Sequence, residues 1–266
     1  MVRRYTTILF DLFDTLVRLN RDRLPAVEIG GRDVRSSVAR LYPVAVGALP
    51  GVGLAEFYEA LLWSYREAER RRELDHREVP ARERLRLCYA RLGVDPDAVP
   101  DGLTDRLLEV HMRCLADAAE SVPGRGALLD WLAGRYRLGL VSNFDYSPTV
   151  ARILEADRLG ERFETVVVSD AVGWRKPSPA IFAVAFARLG VGPGECLFVG
   201  DRPELDVAGA KAVGMDAAWL NAEGTAFPSG FPAPDFTLGG LRDLRSVLET
   251  RDGSETRPDD KLDAGA

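Results

Sequence analysis

Short apolar runs recur along the chain, and each predicts a buried β-strand. They lie at residues 8–10, 138–142, 165–169, 196–199 and 217–220. Runs that are apolar on both faces are typical of parallel sheets covered by helices on both sides. After Pro123 the runs alternate with stretches of helical periodicity, and this alternation predicts a doubly wound parallel sheet of the α/β class.

Residues 19–119 have a different pattern, in which apolar side chains recur at helical spacing. One stripe consists of Leu85, Tyr89 and Leu92, and a second of Leu103, Leu107, His111 and Leu115. Spacings of three and four residues place each stripe on one face of an amphipathic helix. We therefore expect residues 19–119 to form a mainly helical domain that is inserted into an α/β core made of residues 1–18 and 120–248.

Two further segments depart from both patterns. The Gly30-Gly31 pair lies between short alternating runs, which predicts a β-hairpin flap over residues 25–34. Beyond residue 248 the chain has few large apolar side chains whose burial would offset the entropy lost on ordering. We expect residues 249–266 to form a disordered tail.

Composition narrows the classes of partner. The 266 residues carry a formal net charge of −6, and an acidic surface repels the phosphates of nucleic acids. No signal peptide and no run of transmembrane length is visible, so we expect no membrane partner. The three cysteines lack a C-x-x-C pairing and only two histidines are present, which favours a reduced, cytoplasmic protein without a zinc site.

Polar side chains follow three of the predicted strands directly. Asp11 comes after the first strand, Ser142 and Asn143 close the second, and Asp201 follows the fourth. The carboxyl ends of parallel strands meet at one edge of the sheet, where open α/β proteins bind their ligands. We therefore expect these groups to share one crevice.

These motifs, taken in order, resemble those of the haloacid dehalogenase (HAD) superfamily, whose members are mostly magnesium-dependent phosphatases. They are Asp11 with Thr15, Ser142-Asn143, Lys176-Pro177, and the segment from Gly200-Asp201 to Asp206. One such motif occurs by chance, whereas four in order are specific for the superfamily. The resemblance runs from about residue 6 to about residue 220. It implies a Rossmann-like core with the helical insert as a cap over the site.

The resemblance also implies how the phosphoryl group is handled. Asp11 is the expected nucleophile, because a carboxylate that attacks phosphorus splits the displacement into two easier steps. Ser142, the backbone N–H of Asn143 and Lys176 are expected to bind the phosphoryl oxygens. Thr15 is expected to hold the phosphate or its loop. The implied substrate is a small phosphorylated metabolite, and the sequence does not favour a monomer over a homodimer.

The expected cofactor is Mg²⁺, because a phosphate next to carboxylates requires a hard cation with oxygen ligands. Asp11 and Asp201 would supply carboxylate ligands, and the family resemblance adds the backbone carbonyl of Phe13. Asp206 lies five residues after Asp201, in what is predicted to be the first turn of a helix. From there it would accept hydrogen bonds from metal-bound water or from Lys176.

One position departs from the family pattern. Most family phosphatases have a second aspartate two residues after the nucleophile, which protonates the leaving oxygen and then activates water; here that residue is Phe13. General acid–base help is worth about 10²–10⁴-fold in rate. Asp14 is adjacent, but on an extended chain its side chain points to the opposite face. A bulge or helical turn would be needed to direct Asp14 inward.

Phe13 leaves a dehalogenase interpretation open. Haloacid dehalogenases of the same superfamily expel a halide that needs no proton. They use no metal, and they need a halide-binding cation, for which Arg32, Arg35 and Arg40 are candidates. The acidic pair of Asp201 and Asp206 favours the metal-dependent phosphatase instead.

A non-catalytic, HAD-like binding protein is the third interpretation. Its partner surface would be formed by Leu61, Leu62, Trp63 and Tyr65, if these are exposed. For a catalytic protein, the candidate pocket-lining residues by side-chain type are Tyr42, Trp63, Tyr146 and Trp174.

Overall fold

The computed structural model describes residues 5–156 and 158–253, which form an α/β core and a helical insert. The strands are β1 (Thr7–Phe10), β2 (Val17–Leu19), β3 (Ala26–Ile29), β4 (Arg32–Arg35), β5 (Ala119–Ser121), β6 (Arg137–Ser142), β7 (Thr165–Val168), β8 (Cys196–Gly200), β9 (Asp216–Leu220) and β10 (Phe236–Leu238). The helices are α1 (Val38–Ala45), α2 (Leu54–Asp75), α3 (Ala81–Arg91), α4 (Leu103–Ala118), α5 (Arg125–Ala133), α6 (Ser147–Ala156), α7 (Ser169–Val172), α8 (Pro179–Leu189), α9 (Ala208–Ala212) and α10 (Leu241–Gly253).

The core is a six-stranded sheet with the order β10-β9-β8-β1-β6-β7. All of its paired strands run parallel, with β1 hydrogen-bonded to β6 on one side and to β8 on the other. This arrangement confirms the predicted doubly wound α/β sheet. The edge strand β10 was not predicted, because its three residues form no extended apolar run.

Helices cover both faces of the sheet, and the side chains of β1 show why. Ile8 and Phe10 pack in a cluster that includes apolar residues of α5, α6 and α10. Leu9 points to the other face and packs with residues of α8 and α9. Successive side chains of a strand alternate between faces, so a central strand buried on both sides must be apolar throughout. The apolar run therefore places Asp11 at the centre of the sheet edge.

The insert has a hydrophobic core of its own. Side chains of α1 to α4 form it, among them Leu41, Phe57, Leu61, Tyr89 and Leu107. The chain leaves the core through β2 and returns through β5, and these two strands form an antiparallel ladder that was not predicted. The insert is thus attached to the core by a short two-stranded connection.

A β-hairpin is found in the segment for which a flap was predicted. Strands β3 and β4 pair antiparallel, with Ile29 opposite Arg32. Gly30 and Gly31 in the turn have φ angles of +58° and +75°. Two-residue hairpin turns with both φ angles positive favour glycine, because a side chain is strained in that region.

The C-terminal helix corrects the predicted start of the disordered tail. Helix α10 continues through residues 249–253, where disorder was expected. It is stabilised because Leu241, Leu244 and Leu248 are buried against the core. The rest of the predicted tail, residues 254–266, lies outside the described residues. No helix within the described ranges is both long enough and apolar enough to span a membrane.

Candidate active site

Three carboxylates converge at the carboxyl edge of the sheet. Asp11 follows the central strand β1, and its backbone N–H donates to the carbonyl of Val199 in β8 at 2.9 Å. Asp201 follows β8, and a π-helical turn, Pro203–Val207, brings Asp206 back toward it. Carboxylate oxygens of Asp11, Asp201 and Asp206 all lie within 4.8 Å of one another. The sheet topology therefore joins the first and last predicted motifs.

Gly200 makes room for this arrangement. A Cβ atom at Gly200 would lie 2.4 Å from the carboxyl carbon of Asp206. Real Cβ atoms do not approach other heavy atoms this closely. The strand end must be glycine for Asp206 to occupy its place.

Lys176 supplies the positive charge of the site. Its Nζ lies 2.5 Å from Asp11 Oδ1 and 2.8 Å from Asp206 Oδ1, and all three side chains are buried. The side chain of Asn143 fixes the backbone of Lys176, because Oδ1 accepts its N–H at 2.8 Å and Nδ2 donates to its carbonyl at 3.0 Å. Asn143 thereby joins the loop after β6 to the loop that carries Lys176.

Two hydroxyl groups complete the cluster of predicted site residues. Ser142 is fully buried, and its Oγ has no hydrogen-bond partner among the residues that the structure describes. A buried hydroxyl without a partner costs free energy unless a ligand satisfies it. Thr15 donates from Oγ1 to Asp201 Oδ1 at 3.3 Å. It therefore holds the carboxylate of Asp201 at the end of β8.

The site carries an excess of negative charge. Burial, together with the negative charges of Asp206 and Asp11, raises the pKa of Asp201 to about 8. Burial also raises the pKa of Asp11, although Lys176 opposes the shift. Burial by itself would lower the pKa of Lys176, but Asp11 and Asp206 hold it above its ordinary value. Three carboxylates around one ammonium group are oxygen donors suited to a hard divalent cation.

The chain after Asp11 is not extended, so the simple rule of alternating faces does not apply to Asp14. Asp14 has a left-handed φ of 60°, and its N–H donates to the carbonyl of Val17 at 2.7 Å. Its exposed side chain lines a cavity of about 770 Å³ that Asp201 also lines. The negative charge of Asp14 contributes to the raised pKa of Asp201.

Phe13, at the position of the usual second aspartate, packs against protein. Its half-buried ring stacks on that of Phe144, with centroids 4.8 Å apart and an interplanar angle of 24°. It also contacts the hydrophobic cluster of the core. Phe13 lines neither the cavity next to Asp201 nor the one between insert and core.

A second cavity, of about 440 Å³, lies between the insert and the core. The aromatic residues around it are Tyr58, Tyr65 and Phe144. None of the aromatic candidates Tyr42, Trp63, Tyr146 and Trp174 lines it. Those candidates were chosen by residue type alone, and residue type does not indicate which face of a helix meets the core.

The other candidate residues of the insert are also placed by the structure. Arg32, Arg35 and Arg40 are exposed, and of these three only Arg35 lines the cavity between insert and core. Leu61 is buried in the core of the insert, while Leu62, Trp63 and Tyr65 are half-buried. The condition for a partner surface on α2, that these four side chains be exposed, is therefore not met.

Buried ionic contacts join the insert to the loops that carry Asn143 and Lys176, and sequence reasoning did not predict these contacts. Asp145 lies two residues after Asn143 in the loop that follows β6. It accepts a hydrogen bond from Arg84 Nε at 2.9 Å and lies 3.3 Å from Arg72 Nη2. Both arginines belong to the insert and are buried. The insert thus contacts the segment that carries Asn143.

A second buried contact reaches the loop of Lys176. Glu78 of the insert lies 2.8 Å from Arg72 and 3.5 Å from Arg175, the residue before Lys176. Its other carboxylate oxygen accepts a hydrogen bond from Ser169 in α7. No spacing rule connects these positions along the chain, so the contact was not visible in the sequence.

The site thus combines a central carboxylate, a buried lysine and an acidic pair at the carboxyl edge of a doubly wound sheet that carries a helical insert. The family model described as haloacid dehalogenase-like hydrolase matches residues 5–214. The chain belongs to the haloacid dehalogenase-like hydrolase family.

Curated relatives cover part of the chain. Pyrimidine 5'-nucleotidase YjjG of Escherichia coli is 31% identical over 159 residues, which are 59% of this chain and 66% of that protein. Human N-acylneuraminate-9-phosphatase is 33% identical over 127 residues, which are 47% of this chain and 51% of that protein. The chain therefore spans between about half and two thirds of the length of these relatives.

Solved structures share the fold over most of the chain. A 2-haloacid dehalogenase from Pseudomonas syringae has a TM-score of 0.69 at 24% identity, with 92% of this chain and 99% of that chain covered. The HAD-hydrolase YfnB from Bacillus subtilis has a TM-score of 0.62 at 22% identity, with the same coverage of 92% and 99%. At such identities the likeness establishes the fold.

Proposed function

We propose that this hydrolase is a magnesium-dependent phosphatase that acts on a small phosphorylated metabolite through an aspartyl phosphate on Asp11. The observation that supports it best is the group of Asp11, Asp201 and Asp206 around one buried Lys176. A dehalogenation without metal has no need for this acidic pair at the end of β8. The named phosphatases among the relatives support the same class of reaction.

The carboxylates of Asp11 and Asp201 would hold Mg²⁺, together with the backbone carbonyl of Phe13. Asp206 would complete the site through water or through its contact with Lys176. When bound, the cation offsets the negative charge of the carboxylates and of the phosphoryl oxygens. The excess of carboxylates over ammonium groups at this point of the structure fits such a cation.

The residues of the chain act in two displacements. A carboxylate oxygen of Asp11 bonds to phosphorus, the ester P–O bond breaks, and the leaving oxygen takes up a proton. Water then bonds to phosphorus while the bond to Asp11 breaks, which releases inorganic phosphate and regenerates the carboxylate. Ser142 and Lys176 stabilise the phosphoryl oxygens during both steps. Within the described part of the chain Ser142 Oγ has no hydrogen-bond partner, so its hydroxyl is a donor available for that purpose.

We assign the proton transfers to Asp14. Its left-handed turn places the carboxylate on the cavity that Asp201 lines, next to the proposed metal site. If this assignment holds, Asp14→Asn abolishes turnover of alkyl phosphates and leaves magnesium binding intact in calorimetry. Full turnover in Asp14→Asn would show that another group or water moves the proton.

A 2-haloacid dehalogenase is the second candidate, and Phe13 favours it. The acid that protonates an alkoxide is absent at this position, and a halide needs none. Arg35 lines the cavity between insert and core and is the candidate cation for the halide.

The three buried free cysteines fit a reducing compartment, and we place either enzyme in the cytoplasm.

Hydrolysis of p-nitrophenyl phosphate at neutral pH separates these functions. The activated aryl group leaves with little need of a proton, so the first displacement in this assay does not require Asp14 as an acid. We expect activity with Mg²⁺ that is lost with EDTA and lost in Asp11→Asn. Asp130→Asn is the matched control, because Asp130 is an exposed aspartate on α5 that pairs with Arg162. Absence of phosphate hydrolysis together with chloride release from a 2-chloroacid would establish the dehalogenase instead, and inactivity in both assays a binding role.

A further inference from the structure

The position of the Lys176 ammonium group depends on two loops that lie far apart in the sequence. Asn143 joins these loops, because its side chain hydrogen-bonds to both the N–H and the carbonyl of Lys176. The residue that follows Asn143 is Phe144, and the residue that precedes Lys176 is Arg175. Groups that hold these two neighbours therefore also help to fix where the ammonium group lies next to Asp11.

The carboxylate of Glu78, in the insert, reaches both of these neighbours. Its Oε1 lies 3.5 Å from Nη1 of Arg175. Its Oε2 accepts a hydrogen bond from Ser169 Oγ, which itself accepts the backbone N–H of Phe144 at 2.9 Å. The side chain of Glu78 is fully buried, so water screens neither contact. One carboxylate of the insert therefore contacts both loops, one through each of its oxygens.

The hydroxyl group of Ser169 has a single hydrogen and two acceptors within reach. These acceptors are Glu78 Oε2 and the carbonyl oxygen of Phe144, which lies 3.1 Å away. Hydrogen bonds to a charged acceptor are the stronger ones, so the hydrogen belongs with Glu78. The Phe144 carbonyl keeps a partner, because it accepts the backbone N–H of Asp170 at 3.2 Å. Ser169 thus links the Glu78 carboxylate to the backbone beside Asn143.

Backbone hydrogen bonds hold the segment that carries Glu78 against the same two loops. These bonds run from Glu78 N–H to the Gly173 carbonyl at 3.0 Å, from Ala81 N–H to the Asp145 carbonyl at 2.8 Å, and from Arg175 N–H to the His76 carbonyl at 3.0 Å. Main-chain groups make them, so they do not depend on the side chains of Glu78 or Ser169. Substitution of either side chain therefore removes the contacts described above without detaching the segment.

We propose that Glu78 is a positioning residue of the active site, and that it acts through Ser169 and Arg175 to hold the Lys176 ammonium group where it binds the phosphoryl oxygens. The insert thereby takes part in the reaction through a side chain of the core. This inference rests on the proposed phosphatase function, in which Lys176 stabilises those oxygens.

Inhibition by orthovanadate tests this positioning. Vanadate can adopt the five-coordinate geometry of the phosphoryl displacement, and analogues of a transition state depend most strongly on the placement of the groups that stabilise it. We would measure the inhibition constant with p-nitrophenyl phosphate and Mg²⁺. Only folded molecules contribute to this constant. A substitution that merely destabilises the fold lowers the apparent kcat and leaves the inhibition constant unchanged.

Ser169→Ala is the first variant, because it leaves the ion pairs of Glu78 in place. Ser169→Ala and Glu78→Gln should each raise the inhibition constant by about tenfold, the effect of weakening one hydrogen bond to a charged group. Arg175→Met should raise it as well. Arg175→Lys keeps a point charge beside Glu78 and should retain the wild-type value.

Two variants serve as matched controls. Glu69 pairs with Arg72 and Arg175 but is exposed, and Ser64 is a buried serine that donates to a carbonyl of its own helix. Glu69→Gln and Ser64→Ala should keep the wild-type inhibition constant. Absence of phosphate hydrolysis in the wild type would refute the phosphatase function itself. Hydrolysis by the wild type, with the same inhibition constant in Ser169→Ala and Glu78→Gln, would refute the positioning inference alone.

Discussion

Glu78→Gln should lower the free energy of unfolding, because Glu78 makes a buried ionic contact between the insert and the core. The carboxylate of Glu78 is fully buried and lies 2.8 Å from Arg72 and 3.5 Å from Arg175. Glutamine keeps the shape of the side chain and removes the charge. Both arginines then remain buried, with side-chain exposures of 7% and 13%, and lose a counter-ion.

The structure sets the expected magnitude and provides the control. Removing one partner of a buried ion pair costs about 3–5 kcal/mol, because the remaining charge is left without compensation. Glu69 also pairs with Arg72 and lies 3.6 Å from Arg175, but its side chain is 53% exposed. Exposed pairs are worth about 0–1 kcal/mol. Glu69→Gln thus removes the same charge from the same two arginines with a much smaller expected loss.

Urea unfolding followed by tryptophan fluorescence measures the difference. Trp174 is a suitable probe, because its backbone bridges to Arg77 of the insert. With an m value of about 3 kcal/mol per molar urea, Glu78→Gln should lower the midpoint by about 1 M or more. Because Arg175 precedes Lys176, turnover should also fall in this variant. Equal midpoints for the two variants would refute the argument that burial makes the Glu78 contact important.

Three further predictions concern the site and the insert. Asp201→Asn should abolish magnesium binding in calorimetry while far-ultraviolet circular dichroism stays unchanged; unchanged affinity would exclude Asp201 as a ligand. Gly200→Ala should lose most of its turnover, because the added Cβ would lie 2.4 Å from Asp206; wild-type kcat would show that the loop can move at no cost. Burial lowers the pKa of His111 in the folded state to about 3, from its ordinary 6.5. Below pH 6.5 the unfolded chain therefore binds more protons than the folded chain, and each further pH unit of acidification lowers the free energy of unfolding by about 1.4 kcal/mol. Between pH 6.5 and 5 the free energy of unfolding should therefore fall more steeply in the wild type than in His111→Gln, and parallel curves would contradict a buried neutral imidazole.

Sequence patterns were sufficient to predict the sheet and the meeting of four charged side chains at its carboxyl edge. The five predicted strands are all present in the core sheet. Asp11, Lys176, Asp201 and Asp206 meet as the parallel topology requires. These features were predictable because an apolar run reports burial on both faces, and strand ends in a parallel sheet share one edge.

Other features depend on contacts between distant parts of the chain. The left-handed turn at Asp14 corrects the assumption of an extended chain, and Phe13 turns out to be stacked on a residue of another loop. The short strand β10 and the extension of α10 are stabilised by packing on the core. None of these has a strong local pattern, because the stabilising partner lies elsewhere in the sequence.

The sequence by itself determined the class of fold, the order of the motifs and the identity of the charged residues at the sheet edge. Tertiary structure alone decided which residues of the insert contact the core, through the ion pairs of Glu78 and Asp145. It also decided that Ser37 and Tyr65 both hydrogen-bond to His111. The physical reason is the range of the interactions. Hydrophobic periodicity is set by neighbours along one element, whereas an ion pair or a cavity wall joins side chains from elements far apart in sequence, and their partners are selected only when the insert packs on the core.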